Sequence, residues 1–220
     1  MDSPQIVGMG GFPNDVMLEY VLGLARGRKV LYVGTASMEN SAFAVAMYES
    51  LKRHCEVSFL RFHPWPPADV RGYALGHDVI FVGGGNTANM LAVWRVHGFD
   101  RVLREAWESG VLLTGWSAGM ICWFDAGVTD SFRPELDGMR DGLGFLPGSA
   151  CPHYDGEDLR RPVYRRLVAE DGFPAGIALD DAAAARFVGT ELAEVVASSP
   201  DARGYRVGPD GEEPLETRKL

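Results

Sequence analysis

The 220-residue chain is poor in several things that would each have named a class. It has three cysteines, Cys55, Cys122 and Cys151, with no CxxC pair among them. An odd set cannot be fully bridged within one chain, so this usage points to a reducing, cytoplasmic compartment rather than a disulfide scaffold. No apolar stretch approaches the roughly 20 residues that span a bilayer. The first 13 residues carry Asp2 and glycine steps instead of a basic start and an apolar run, so no signal peptide is expected. Basic charge is also scarce: 21 Lys and Arg stand against 30 Asp and Glu, a net charge of -9, which argues against nucleic acid or an anionic membrane as partner. Internal repeats and a dividing linker are missing too. The reading is a single α/β domain over 1–200, followed by a polar, turn-rich C-terminal tail over 201–220 that is expected to be partly mobile.

What is present is a globular composition, 46% hydrophobic and 23% charged. Short apolar runs alternate with amphipathic stretches, the pattern of an α/β fold whose mostly parallel sheet has helices on both faces. Strands are expected at Gln5–Met9, Lys29–Val33, Glu56–Phe62, Val79–Val82 and Val111–Thr114. The first helix follows Asn14 or Asp15 as cap, with Val16, Tyr20, Val21, Leu24 and Ala25 as its apolar face. Others are expected over Glu39–His54 (with Phe43, Ala46, Met47, Ser50 and Leu51 on one side), from near Thr87, from an Asp100 cap to Ser109, and over Leu159–Glu170. The three prolines Pro64, Pro66 and Pro67 make 63–69 a loop. Gly127–Pro152, rich in Gly and Pro and weakly periodic, reads as loops at the active edge of the sheet. Gly176–Leu179, Ala184–Val188 and Leu192–Ser198 read as short closing strands.

Two glycine-rich sites follow predicted strands. Gly115-Trp116-Ser117-Ala118-Gly119 is a G-x-S-x-G elbow, in which a sharp strand-to-helix turn exposes the serine hydroxyl and only glycine-sized neighbours fit. The N–H of Ala118 would share the space in front of Ser117. Gly83-Gly84-Gly85-Asn86-Thr87 supplies backbone N–H groups that can approach an oxyanion, with Asn86 or Thr87 as helix cap. It matches neither G-x-G-x-x-G nor G-x-x-x-x-G-K-[ST], which disfavours a nucleotide. Both loops would lie outside the carboxyl ends of strands, where α/β folds bind ligands. A serine nucleophile needs a base. Of His54, His63, His77, His97 and His153, only His153 lies downstream in a polar loop, with His63 and His97 left open. For the orienting acid, Asp130 competes with Asp125, Asp155 and Glu157. His153, Asp155 and Glu157 alternate and would share a face of an extended strand, the weaker metal-binding alternative. Arg160, Arg161, Arg165 and Arg166 offer guanidinium forks for a carboxylate, although a solvent-facing helix explains Arg165 and Arg166 better.

Val82-Gly83-Gly84-Gly85-Asn86-Thr87, then Gly115-Trp116-Ser117-Ala118-Gly119, then Pro152-His153-Tyr154, in this order and spacing, resembles the aspartyl dipeptidase (peptidase E) family of serine peptidases. The resemblance spans about Ile6 to Val196 and implies a class I glutamine amidotransferase-like fold. It places the nucleophile on Ser117, the base on His153, and oxyanion donors on Gly84 or Gly85 and on Ala118. It implies that an arginine after the histidine reads the substrate's aspartyl side chain, which falls on Arg160 with Arg161 as neighbour. Where members of the family carry a Thr-Asn-Asp stretch, this chain has Val128-Thr129-Asp130, so Asp130 is the expected acid and Glu157 its rival. Ile121-Cys122-Trp123-Phe124 marks a distinct subgroup, and serine at the elbow speaks against glutamine hydrolysis.

The expectation is therefore a cytoplasmic serine exopeptidase that cleaves short peptides, with N-terminal aspartyl dipeptides foremost, without metal or organic cofactor. Its partner is a small peptide substrate, and a homodimer stays open. The alternatives are a cyanophycinase-like hydrolase of β-aspartyl bonds and a non-catalytic small-molecule binding protein of the same fold.

Overall fold

The computed structural model describes residues 3–220. Five strands, β1 (Gln5–Met9), β2 (Lys29–Val33), β3 (Glu56–Leu60), β4 (Val79–Val82) and β5 (Leu112–Trp116), alternate with α1 (Asp15–Gly23), α2 (Ser41–Leu51), α3 (Val70–Leu75), α4 (Thr87–His97) and α5 (Phe99–Glu108). β4 and β5 are buried along their whole length, and β1 and β2 beyond their first residue, because both faces are covered, whereas the edge strand β3 is only partly buried. Successive side chains point to opposite faces, so Ile6, Leu31, Ile80 and Leu113 join Trp94 of α4 and Leu103 of α5. Val7, Val30, Phe81 and Leu112 join Met17 and Leu18 of α1 and Met47 and Leu51 of α2 on the other face.

After β5 come the one-turn α6 (Ala118–Ile121), β6 (Phe124–Thr129), β7 (Asp137–Met139), β8 (Leu146–Cys151) and α7 (Arg160–Glu170). The chain ends with β9 (Gly176–Leu179), β10 (Ala183–Val188), β11 (Glu191–Ala197), β12 (Gly204–Gly208), β13 (Gly211–Pro214) and β14 (Thr217–Lys219). Two sheets result. The eight-stranded one runs β14-β11-β10-β1-β5-β4-β2-β3, and its β1-β5-β4-β2-β3 stretch pairs in parallel. β10 is antiparallel to both β1 and β11. The six-stranded sheet runs β13-β12-β9-β8-β6-β7, parallel only at β6-β8 and β8-β9. α7 buries Tyr164, Leu167 and Val168 against that sheet's Val128, Ala178 and Val207.

Four expectations give way here. The 127–152 stretch is not loop on the edge of one sheet but contains the second half of β6, with β7 and β8, in a second sheet. Gly127 there marks close approach rather than a turn: a Cβ on it would lie 2.5 Å from Ile121 Cγ2 and 3.0 Å from the Ala150 carbonyl oxygen. The polar 201–220 tail forms β12, β13 and β14, held by ladders to β9 and β11. Ladder bonds need no apolar side chains, so composition did not reveal them. Finally, α1 buries Met17, Leu18, Val21 and Leu22 and leaves Val16 exposed. Asn14 caps that helix by accepting the Met17 N–H at 3.0 Å. α5 is preceded not by an Asp100 cap but by Gly98 in the left-handed conformation (φ 68°), which also closes α4.

Candidate active site

β1, β5, β4 and β2 end at one edge of the large sheet, and each end contributes a loop there. At β5 the elbow residue Ser117 sits at φ 55° and ψ -115°. This is a conformation that L-residues avoid, at a cost of about 1–3 kcal/mol that surrounding structure must offset. The elbow's two glycines allow it. A Cβ on either Gly115 or Gly119 would run into the Val82 carbonyl oxygen of β4, which pairs in register with Gly115. The Met120 and Ile121 N–H groups both bond the Ser117 carbonyl, at 2.9 and 3.0 Å, tying the turn into α6.

His153 follows β8, and its N–H bonds the Gly10 carbonyl just past β1, which draws it to the same edge. It too has a left-handed backbone, φ 54°. Its Nδ1 donates to Asp181 Oδ1 at 2.7 Å, leaving Nε2 as the free ring nitrogen. Asp181 arrives by topology. It lies in the connection from β9 to β10, and because β10 runs antiparallel to β1, with Met9 opposite Ala184, the start of β10 lies beside the end of β1. Glycines make room for the carboxylate: a Cβ on Gly11 or on Gly156 would strike an Asp181 oxygen. The Asp181 N–H is in turn held by Asp155 Oδ1 at 2.7 Å.

The expected acids are thus corrected. Asp130 is exposed after β6, and Glu157 accepts from Arg160 Nε at 2.7 Å rather than from His153. Asp125 accepts the Gly148 N–H. Sequence reasoning passed over Asp181 because it belongs to no motif. The available signal was an Asp-Asp pair, Asp180-Asp181, in a turn between two apolar strands where neither Gly nor Pro explains the reversal. The Thr129-Asp130-Ser131 stretch still meets the site, through Ser131. Its Oγ accepts the Thr87 N–H at 2.8 Å and its carbonyl accepts from Asn86 Nδ2 at 2.8 Å, pinning the glycine loop at the head of α4.

Ser117 and His153 line one cavity of about 530 Å³ with Gly84, Gly85, Asn86, Asn89, Trp116 and the 36–43 segment. A Cβ on Gly84 would come within 3.2 Å of Ser117 Cβ, so this glycine passes directly beside the elbow. Gly85, at φ 133°, takes a backbone conformation closed to other residues. Among the described residues, the N–H groups of Gly84, Gly85 and Ala118 have no hydrogen-bond acceptor.

Arg160 and Arg161 do not line the cavity. Arg160 is buried, with Nε on Glu157 and Nη1 on the Val128 carbonyl, both at 2.7 Å. Arg161 binds Glu212 Oε1 through Nε at 2.9 Å. Both expected substrate contacts are therefore structural partners in α7. The 153–157 segment forms turns rather than an extended strand, so His153, Asp155 and Glu157 do not share a face. Of the other histidines, His54 pairs with Glu19, His63 faces Glu39 and His97 stacks near Phe62, none of them at the cavity. Burial pushes the Cys122 thiol well up and that of Cys151 up to about 12, which leaves both inert as nucleophiles.

The family model for Peptidase family S51 matches residues 11–195. The uncharacterized peptidase YgaJ of Bacillus subtilis (strain 168) is 41% identical over 212 residues, covering 92% of this chain and 91% of its own. Peptidase E of Shewanella amazonensis is 36% identical over 88 residues, 40% of this chain and 37% of its own. Among solved structures, a peptidase from an acI-B1 Actinobacterium superposes with a TM-score of 0.70 at 19% identity, over 98% of this chain and 95% of that one. At that identity the likeness is one of mixed α/β fold. No helix among the described residues is long and apolar enough to cross a membrane.

Proposed function

Because the chain belongs to peptidase family S51, the peptidase E family, and is by that membership a peptidase, we propose that it is a serine-type exopeptidase working through an acyl-enzyme on Ser117. The observation that carries this reading is the strained Ser117 elbow opening into the same cavity as His153, whose other ring nitrogen is held by Asp181. Ser117 Oγ attacks the scissile carbonyl carbon while His153 Nε2 takes its proton. The imidazolium keeps its Nδ1–H on Asp181. The tetrahedral oxyanion is met by the Ala118 N–H and that of Gly84 or Gly85, each worth about 3 kcal/mol in the transition state. Collapse breaks the C–N bond, His153 protonates the leaving amine, and water then hydrolyses the ester by the same route. The elbow, the parallel β1-β5-β4-β2 stretch and the glycine loop support reading the fold as class I glutamine amidotransferase-like.

The family resemblance implies dipeptides with N-terminal aspartate. The cavity favours a broader diet of short peptides, since its polar side chains besides His153 are the uncharged Ser37, Asn40, Asn86, Asn89 and Ser117. The unpaired thiols fit a cytoplasmic enzyme. The test is a panel of Asp-X and neutral dipeptides incubated with wild type and Ser117→Ala. Release of free amino acid by wild type alone is the expected result; equal turnover by the alanine variant, or none by either, rejects the serine mechanism.

A further inference from the structure

A chain of polar contacts runs from the His153–Asp181 pair to the C-terminal hairpin of β12 and β13. Tyr154, the residue after His153, is buried, and its hydroxyl donates to Glu212 Oε2 of β13 at 2.5 Å. Glu212 Oε1 accepts from Arg161 of α7. The Arg161 guanidinium lies over two rings, 4.9 Å from the centroid of Tyr154 and 4.7 Å from that of Tyr205 in β12. Tyr205 donates in turn to Asp180 Oδ2 at 3.4 Å, and the same oxygen accepts the Arg203 N–H at 3.0 Å. Asp180 immediately precedes Asp181. The contacts thus leave the base on one side and return to the acid on the other.

This matters because both segments are strained. His153 (φ 54°) and Ala182 (φ 61°), on either side of the His153–Asp181 contact, occupy the left-handed region. Such backbone persists only where its surroundings over-determine it. Tyr154 is fixed at both ends, by its N–H on the Leu179 carbonyl at 3.0 Å and by its hydroxyl on Glu212. Asp180 is fixed through its carboxylate.

We infer that the β12–β13 hairpin is part of the catalytic apparatus: Glu212, acting through Tyr154 and Arg161, and Tyr205, acting through Asp180, are positioning residues that aim His153 at Ser117. The inference rests on the serine-peptidase reading. A residue of this kind contributes through geometry, and a misplacement of about 1 Å can cost on the order of 100-fold in rate.

The test compares wild type, Tyr154→Phe, Glu212→Gln and, as control, Glu213→Gln, whose side chain is exposed on the same hairpin. Tyr154→Phe removes only the hydroxyl and keeps the ring packing, so it folds even if Glu212→Gln does not. Active sites are titrated with a serine-directed phosphonate, and kcat and KM per titrated site are measured on the best dipeptide. The expected result is a 10- to 100-fold lower kcat for Tyr154→Phe and Glu212→Gln, with KM within threefold and Glu213→Gln like wild type. If the two variants lose thermal stability or titratable sites but keep the wild-type kcat per site, the hairpin is merely structural and the inference is overturned. If wild type is not labelled at Ser117, the serine reading falls first and takes this inference with it.

Discussion

Asp181 accepts a 2.7 Å hydrogen bond from His153 Nδ1 across 28 positions of sequence. Neither residue is near the other in the chain, and neither lies in a regular element. They meet because β8 and β9 run parallel in one sheet while β10 turns back along β1 in the other. The two sheets share this corner, and the candidate base and acid sit on its two sides.

Removing the carboxylate while keeping its shape tests that relationship. Asp181→Asn should lower kcat by up to about 10⁴, the scale of losing the orienting acid in a serine triad. Asp130→Asn should stay within severalfold of wild type. Glu157→Gln should reduce stability rather than kcat, since its partner is the buried Arg160. Steady-state kinetics on titrated enzyme separate the three; a large kcat loss confined to Glu157→Gln would return that residue to the role of acid.

Arg160 provides a second discrimination. With its guanidinium on Glu157 and on the Val128 carbonyl, it holds α7 to β6. Arg160→Met keeps much of the volume but strands those acceptors, and should cost about 3 kcal/mol of folding stability. KM for an Asp-X dipeptide should change less than twofold. Unaltered urea unfolding together with a many-fold rise in KM would instead make Arg160 a substrate ligand.

The third concerns pH. Burial first, and then the charge of Asp155, raise the Asp180 carboxyl from 3.8 to about 6. Between those values the folded chain keeps a proton that the unfolded chain has lost. Asp180 therefore favours the fold below about pH 4 and loses that advantage as pH rises through 6, a change of about 3 kcal/mol. Asp180→Asn cannot titrate. The stability of wild type minus that of the variant should rise by most of this amount as pH falls from 7.5 to 4, followed by urea unfolding at fixed ionic strength. A difference that stays level across the window would show that Asp180 does not titrate there.

Much of the fold was legible because its rules are local. β1, β2, β4 and β9 fall where the apolar runs place them, since strands buried on both faces must be continuously hydrophobic. The elbow was legible for a similar reason. Gly115 and Gly119 are demanded by the approach of Val82 and leave a pentapeptide signature around Ser117. Of the second sheet only β9 was legible; β6, β7 and β8 were not, because glycines such as Gly127 serve close backbone approach there and read as loop residues by composition. Nor was the hairpin around Glu212, whose strands are polar on their open side and are held by ladder bonds.

The sequence by itself determined the alternating α/β architecture, the strained serine, the glycine loop beside it and the histidine downstream. All of these are set by short-range sterics and hydrophobic periodicity. Only the tertiary structure decided which carboxylate meets His153, that Arg160 and Arg161 are engaged within the protein, and that the last 20 residues belong to two sheets. Those outcomes depend on where distant strand ends converge. A side chain's partner there is chosen by topology and by the room neighbouring glycines leave, and neither is encoded within a few residues of the side chain itself.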